Sequence, residues 1–173
     1  MTDTSIQFIP TADIVDIYDD FEDDVQSCDT QFRNFGGRTE FCGEIVTISC
    51  FQDNGLVKKT LNSPGEGKVL VVDGHGSLHT ALMGDMIAEA GVENGWAGVI
   101  INGPIRDSAE VAKMDFGCKA LGTNPRKSAK EGAGKTDIVI RLGGIDFIPG
   151  HYVYADSDGI IVTPEPVVKR EEA

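Results

Sequence analysis

Asp85, Arg106 and Asp107 are the residues of this chain whose types and spacing could do chemistry. Gly84-Asp85-Met86-Ile87 and, one β–α step later, Arg106-Asp107 set a carboxylate, a guanidinium and a second carboxylate at the ends of two glycine-marked turns, with twenty residues between Asp85 and Arg106. Such an interval holds one helix and one short strand returning to the same sheet edge, where ligands of open α/β sheets gather. The backbone N–H groups of Gly84, Asp85, Met86 and Ile87, at a helix start, offer unpaired donors and the positive end of the dipole to a carboxylate or phosphate. Arg106 adds a planar fork for bidentate capture of the same kind of group. Asp107 is a hard oxygen ligand for Mg²⁺ or Mn²⁺, and Asp85 could hold one of that ion's waters. Each residue also has a plain structural reading: an Asp at a helix start is commonly a cap, and an Arg-Asp pair is commonly a turn salt bridge. Only their convergence at two neighbouring strand ends makes a site.

The elements that must bring them together can be read from apolar spacing. Ile14, Val15, Ile17, Tyr18 and Phe21 repeat as one helical face within residues 11–21, with Thr11 or Asp13 as the cap. Phe32 to Arg38 reads as a turn, Phe41 to Phe51 as a half-buried strand rich in β-branched residues, and Asp53-Asn54-Gly55 as its end. Lys68 to Asp73 is a continuous apolar run closed by an acid, as in a strand covered on both faces. A glycine-rich loop from Gly74 to Gly84 leads into a short helix from Asp85 to Val92, and a strand from Ala97 to Asn102 follows. Gly103-Pro104-Ile105 reads as the next turn, before a short helix from Arg106-Asp107-Ser108 through Ala112. Strands are expected at 118–121, 138–141, 152–154 and 160–162, the last two joined by an Asp158-Gly159 hairpin turn, with a charged, loose tail after Pro164. Central β–α units flanked by strand-rich ends predict an α/β domain of mixed sheets, a single domain over 1–173 with its core at about 11–164.

Composition excludes several classes. At 173 residues with 40% hydrophobic content, one core of ordinary size is expected. A net charge of −13 disfavours nucleic acid and anionic membranes as partners. No run reaches the length of a spanning helix, and the N-terminus lacks the basic-then-apolar order of a signal peptide, so the expected address is the cytoplasm. Residues 1–30 carry nine acids and no Lys or Arg. Their run Asp19, Asp20, Glu22, Asp23, Asp24 reads as a solvated face, or as a surface for a basic partner. Cys28, Cys42, Cys50 and Cys118 share no metal-ligand spacing, and Cys42 and Cys50 read as small core residues. His75 and His79 are four apart, but the glycines at 74 and 76 favour a loop over a metal-binding helix. The turn at Gly74-His75-Gly76 also lacks a full dinucleotide fingerprint.

The order Phe35-Gly36-Gly37-Arg38, Asp53-Asn54-Gly55, Val69 to Gly74, Gly84-Asp85, Gly103 to Asp107 and Tyr154 to Gly159 resembles the RraA-like family over roughly Ile14 to Pro164. That family includes divalent-metal aldolases acting on 4-hydroxy-4-methyl-2-oxoglutarate and 4-carboxy-4-hydroxy-2-oxoadipate, and bacterial protein regulators of ribonuclease E. Its enzymes share an Asp, twenty residues, then Arg-Asp, and Asp85, Arg106 and Asp107 fit that pattern. The resemblance implies a swivelling β/β/α domain in a ring-shaped homotrimer, sometimes a dimer of trimers, with sites at subunit interfaces and an acid from the neighbouring subunit that the sequence does not locate. It also implies a lyase: retro-aldol release of pyruvate from a 2-oxo-4-hydroxy acid, with oxaloacetate decarboxylation as a companion. In that scheme Asp107 holds the metal, Arg106 anchors substrate oxygens, the amides of Gly84 to Ile87 bind a carboxylate, and Asp85 orients a water for proton exchange. A Schiff-base route would need a desolvated lysine, whereas Lys68, Lys113 and Lys119 read as solvent-facing or unplaced. The rival reading is a regulator that binds and inhibits ribonuclease E, to which Asn34 to Leu56 looks similar and for which the acidic residues 13–24 suit a basic partner surface. Asp107 favours the metal site, because protein binding alone needs no ligand there.

Overall fold

The computed structural model describes residues 13–167. Helix α1 (Ile14–Phe21) starts where Asp13 accepts a hydrogen bond from the Val15 N–H at 2.9 Å, so Asp13 is a cap; Thr11 lies outside the described residues. After a 3-10 turn at Glu22–Asp24 come the short strands β1 (Gln26–Ser27) and β2 (Arg33–Asn34), then β3 (Phe41–Ser49). Three crossovers follow: α2 (Gly55–Leu61) into β4 (Val69–Asp73), α3 (Asp85–Glu93) into β5 (Gly98–Ile105), and α4 (Ser108–Val111) into β6 (Gly117–Thr123). The chain closes with β7 (Lys135–Thr136), the small hairpin β8 (Ile140–Leu142) and β9 (Ile145–Phe147), and the hairpin β10 (Tyr152–Asp156) and β11 (Gly159–Thr163).

Nine of these strands form one mixed sheet in the order β1-β11-β10-β3-β4-β5-β6-β2, with β7 added to β3. Strand β3 is the pivot. Its first half, Phe41 to Glu44, pairs antiparallel with β10, and its second half, Ile45 to Ser49, pairs parallel with β4. The parallel strands are apolar on both faces because both are covered. Leu70, Val72, Val99 and Ile101 pack under α2 and α3, whereas Val69, Val71 and Ile100 meet Ile140, Phe147 and Val153 on the other side. Helix α1 lays Ile14 and Ile17 against Tyr154 and Ile161 of the hairpin. The fold is thus the expected α/β class with mixed sheets.

Several expectations are corrected. Gly103-Pro104-Ile105 is not a turn but the last part of β5. The register shifts between Ile101 and Pro104, where β5 spends more residues than β6, and a bulge of this kind admits a proline that a regular ladder would reject. Phe32 to Arg38 contains β2, paired with β6 through Arg33–Ala120 and Asn34–Lys119. Helix α2 begins directly after Asp53-Asn54, and Val57 and Leu61, one turn apart, are fully buried beneath it. The strand near 138–141 starts at Ile140 and turns back through Gly143-Gly144, both at positive φ, as a two-residue hairpin requires. Lys119 is 2% exposed, the third residue of β6, so it is not solvent-facing. Burial pushes its ammonium below the ordinary lysine range, against the opposing pull of Asp156 and Cys28. The tail after Pro164 is described only to Val167, whose N–H bonds the Tyr154 hydroxyl at 2.6 Å. Among the described residues no helix is long and apolar enough to cross a membrane.

Candidate functional site

The bulge in β5 determines where the candidate site lies. By adding length beyond Ile101 it carries the strand out to Ile105, and the next N–H, that of Arg106, bonds the Met83 carbonyl at 2.9 Å. The two turns that the sequence marked are therefore tied backbone to backbone. Asp107 follows in a left-handed conformation, φ 56°, and starts α4 while its side chain turns back toward the start of α3. Asp and Asn are the non-glycine residues that tolerate this conformation best.

Gly84 is where the groups meet. A Cβ added there would stand 2.9 Å from Asp107 Oδ2 and 3.4 Å from both Cγ and Nε of Arg106. Its φ of −121° is open to any residue, so close approach and not backbone freedom explains the glycine. The first-turn N–H groups of α3 have no carbonyl within the helix to bond. The Asp85 N–H instead donates to Asp107 Oδ2 at 3.3 Å, and the Met86 N–H donates to Asp85 Oδ1 at 2.8 Å. The anion seat expected from the helix start is thus already shared by the protein's own carboxylates. Ile87 turns its side chain into the core, and Met86 projects outward at 80% exposure. No ion pair or side-chain hydrogen bond ties down Arg106 among the described residues. The structure therefore brings Gly84, Asp85, Arg106 and Asp107 together and leaves the guanidinium and one carboxylate with bonding capacity to spare.

The donor set suits a hard cation of the Mg²⁺ kind. Such an ion takes one or two protein carboxylates and fills its octahedron with water and substrate oxygens. Among the described residues no three His, Cys, Asp or Glu side chains converge, which fits that open type and not a closed zinc centre. His75 and His79 lie in the loop between β4 and α3, as expected. Cys50 and Cys118 are buried, and burial pushes each thiol up to about 12. A cavity of about 280 Å³ lies elsewhere, between α1, β1 and β11, and is lined by Ile14, Tyr18, Cys28 and Ile160 among others. Its lining offers one carboxylate, Asp158, and no guanidinium or ammonium to pair with it.

One acid that looked like punctuation has a defined job. Asp53, 3% exposed, accepts from the N–H groups of Gly55, Glu131, Gly132 and Ala133 at 2.9 to 3.4 Å. Burial pushes its carboxyl up, but the backbone donors outweigh it and hold the group below the usual carboxylate range. An acid beside Asn-Gly after a strand was the available signal, but three of its four partners lie 78 to 80 residues away.

A family model described as RraA-like, Aldolase/RraA, matches residues 11–162. A Geobacillus kaustophilus protein described as an S-adenosylmethionine:2-dimethylmenaquinone methyltransferase is 46% identical, with 92% of this chain and 99% of that chain covered and a TM-score of 0.89. The RNA-processing inhibitor RraA from Thermus thermophilis is 40% identical, with 91% and 96% covered and a TM-score of 0.87. Streptomyces coelicolor RraAS2, described as an unusual member of the RNase ES inhibitor RraA family, is 27% identical, with 80% and 72% covered and a TM-score of 0.68. The match runs from α1 into β11 and takes in both turns of the site, and the chain belongs to the RraA-like family.

Proposed function

We propose that the chain is a divalent-metal-dependent lyase that cleaves 2-oxo-4-hydroxy acids of the 4-hydroxy-4-methyl-2-oxoglutarate type to pyruvate and a second oxo acid, and that it also decarboxylates oxaloacetate. The observation that carries this reading is the meeting of Arg106 and Asp107 over a residue without a side chain, Gly84. The descriptions of the relatives diverge, methyltransferase for one and RNA-processing inhibition for two, so description alone assigns no chemistry. Asp107 would hold Mg²⁺ or Mn²⁺, with Asp85 reaching it through a water. Bound there, the cation supplies Lewis acidity to the oxygens of the 2-oxo acid.

The residues divide the remaining work. Arg106 grips the substrate carboxylate with two parallel N–H donors and opposes the negative charge that grows on the pyruvate fragment as the C3–C4 bond breaks. The N–H groups at the start of α3 receive a second carboxylate, taking over from the side chains that otherwise occupy them. Asp85 accepts the C4 hydroxyl proton through a water and returns a proton to C3 of the fragment. We also propose a ring-shaped homotrimer, alone or stacked in pairs, with each site at a subunit junction. Met86, exposed in the first turn of α3, is an apolar side chain that such a junction would cover. A coupled assay for pyruvate tests the reading: release from oxaloacetate and from 4-hydroxy-4-methyl-2-oxoglutarate with Mg²⁺ is expected, and turnover that survives a chelator rejects it.

A second reading keeps one observation of its own. Asp16, Asp19, Asp20, Glu22, Asp23 and Asp24 are exposed along α1 and the turn after it, and α1 packs on the β10–β11 hairpin and not on the turns that carry Gly84 and Asp107. Together with the inhibitor relatives, this supports binding of a ribonuclease E-type nuclease through a basic surface, with modulation of RNA turnover and no direct RNA contact. Neutralising Asp19, Asp20, Glu22, Asp23 and Asp24 is expected to abolish nuclease binding and spare pyruvate release. Equal binding by that variant rejects the acidic face as the contact.

A further inference from the structure

A second polar cluster lies at the carboxyl edge of the parallel strands, and the proposed lyase chemistry does not use it. Ser49, Asp73 and Asn102 are register partners across β3, β4 and β5, so their side chains leave the sheet on one face. Asp73 Oδ1 accepts from the Asn102 side-chain amide at 3.0 Å and from the His75 main-chain N–H at 2.9 Å. The same carboxylate therefore holds the turn that carries His75, whose φ of 58° is one that residues other than glycine seldom adopt. In this conformation the imidazole lies between two partners. Its Nε2 is 2.9 Å from Ser49 Oγ, and its Nδ1 is 3.7 Å from Asp73 Oδ2. At 3.7 Å the carboxylate is close enough to oppose charge on the ring but is not hydrogen-bonded to it, and with the proton on Nδ1 the Nε2 lone pair faces the serine hydroxyl.

A hydroxyl within hydrogen-bond reach of an imidazole, with that imidazole backed by a carboxylate, is the arrangement that activates a serine. The cluster is open to solvent. The His75 side chain is 50% exposed, Phe51 beside it is 61% exposed, and the Phe51 ring is tilted with its centre 6.5 Å from that of the imidazole. A small apolar group would find a wall there without entering the core.

We propose that Ser49 is a nucleophile activated by His75, with Asp73 as the positioning residue, and that it accepts the acyl group of small esters of acidic alcohols. In the first step a bond forms between Ser49 Oγ and the ester carbonyl carbon, the serine proton passes to His75 Nε2, and the carbon–alkoxide bond breaks as the leaving alcohol takes that proton. Water then repeats the sequence on the acyl-serine, giving the carboxylic acid and the free hydroxyl. The balance needs no reactant beyond ester and water. A fluorophosphonate follows the same path, with the phosphorus–fluorine bond broken and fluoride released.

The test uses the full-length protein with a fluorophosphonate probe and with p-nitrophenyl acetate. The expected result is a label mapped by mass spectrometry to Ser49, together with release of p-nitrophenolate. Ser49→Ala removes the label, and His75→Gln lowers both rates by about 100-fold, the usual worth of a positioned base. His75→Gly accepts the positive φ without strain and should regain activity with added imidazole, which separates lost chemistry from lost structure. His75 meets Asp73 and Ser49 by polar contact and Phe51 by its ring, so Asp73 is the charged neighbour in contact. Asp73→Asn is therefore expected to move the pH profile of labelling downward, and an unmoved profile rejects its positioning role. Absence of label at Ser49, or labelling as fast in His75→Gln as in the parent, overturns the proposal.

Discussion

Asp53 and Asp107 both stand just beyond strands of the same sheet, and the protein treats their carboxylates in opposite ways. Asp53 is buried, and its two oxygens accept four backbone N–H groups, so its capacity is filled. Asp107 is exposed, accepts one N–H at 3.3 Å, and lies beside an arginine that no other described residue ties down. The first carboxylate staples the start of α2 to the segment 131–133. The second has lone pairs that no described residue fills, and the proposed lyase chemistry draws on them. One residue type is thus saturated in one place and left open in the other according to how many donors the fold has given it.

The contrast can be broken from either side. Asp107→Ala should carry the largest effect, a loss of pyruvate release of about 1000-fold, with a fall in stability of only about 1 kcal/mol from placing alanine in the left-handed backbone at φ 56°. Steady-state kinetics beside calorimetry would check both halves. Asp53→Ala should do the reverse, costing about 3 kcal/mol through the N–H groups left unpaired while turnover per folded molecule stays near the parent value. Because the folded state holds the Asp53 carboxyl below its ordinary range, its contribution is complete above the unfolded carboxylate pKa and is lost as pH falls through the folded one. Asp53→Asn should therefore flatten the acid limb of a stability-against-pH curve.

Gly84→Ala comes next. The added methyl would crowd Asp107 Oδ2 at 2.9 Å and Arg106 at 3.4 Å, so a drop in kcat/KM of about 10- to 100-fold is expected with little change in melting. The smallest effect belongs to Lys119→Met. The folded state lowers the lysine pKa by burial, so the unfolded chain binds more protons there and stability rises with pH toward the ordinary lysine range. Removing the charge should erase that slope and raise stability at neutral pH by about 1 kcal/mol. Borohydride reduction in the presence of substrate should leave no adduct on Lys119, which would separate the metal route from a Schiff-base one.

Much of this was legible from local pattern. The apolar run of β4, the helix after Gly84, the Asp158-Gly159 hairpin and the Asp85…Arg106-Asp107 spacing are short-range signals, and each emerges at its expected place in the chain. The rest depends on pairing across the sheet. Gly103-Pro104 reads as a turn until the bulge against β6 absorbs it, and Lys119 reads as a surface lysine until β2 and the hairpin side close over its strand. Helix α2 hid behind the Asp53-Asn54-Gly55 punctuation, although Val57 and Leu61 carry its spacing. The Ser49–His75–Asp73 cluster was invisible for a related reason. Nothing near Ser49 in the chain announces that parallel register sets it opposite Asp73.

Asp107 is proposed as the direct ligand of a divalent cation beside an anion seat. Titration of the full-length protein with Mn²⁺, followed by electron paramagnetic resonance with and without oxalate as a planar mimic of the pyruvate fragment, tests it most directly. The parent protein is expected to bind Mn²⁺, oxalate to tighten that binding, and Asp107→Ala to lose both. Mn²⁺ bound equally well by Asp107→Ala, with oxalate still tightening it, would contradict the assignment.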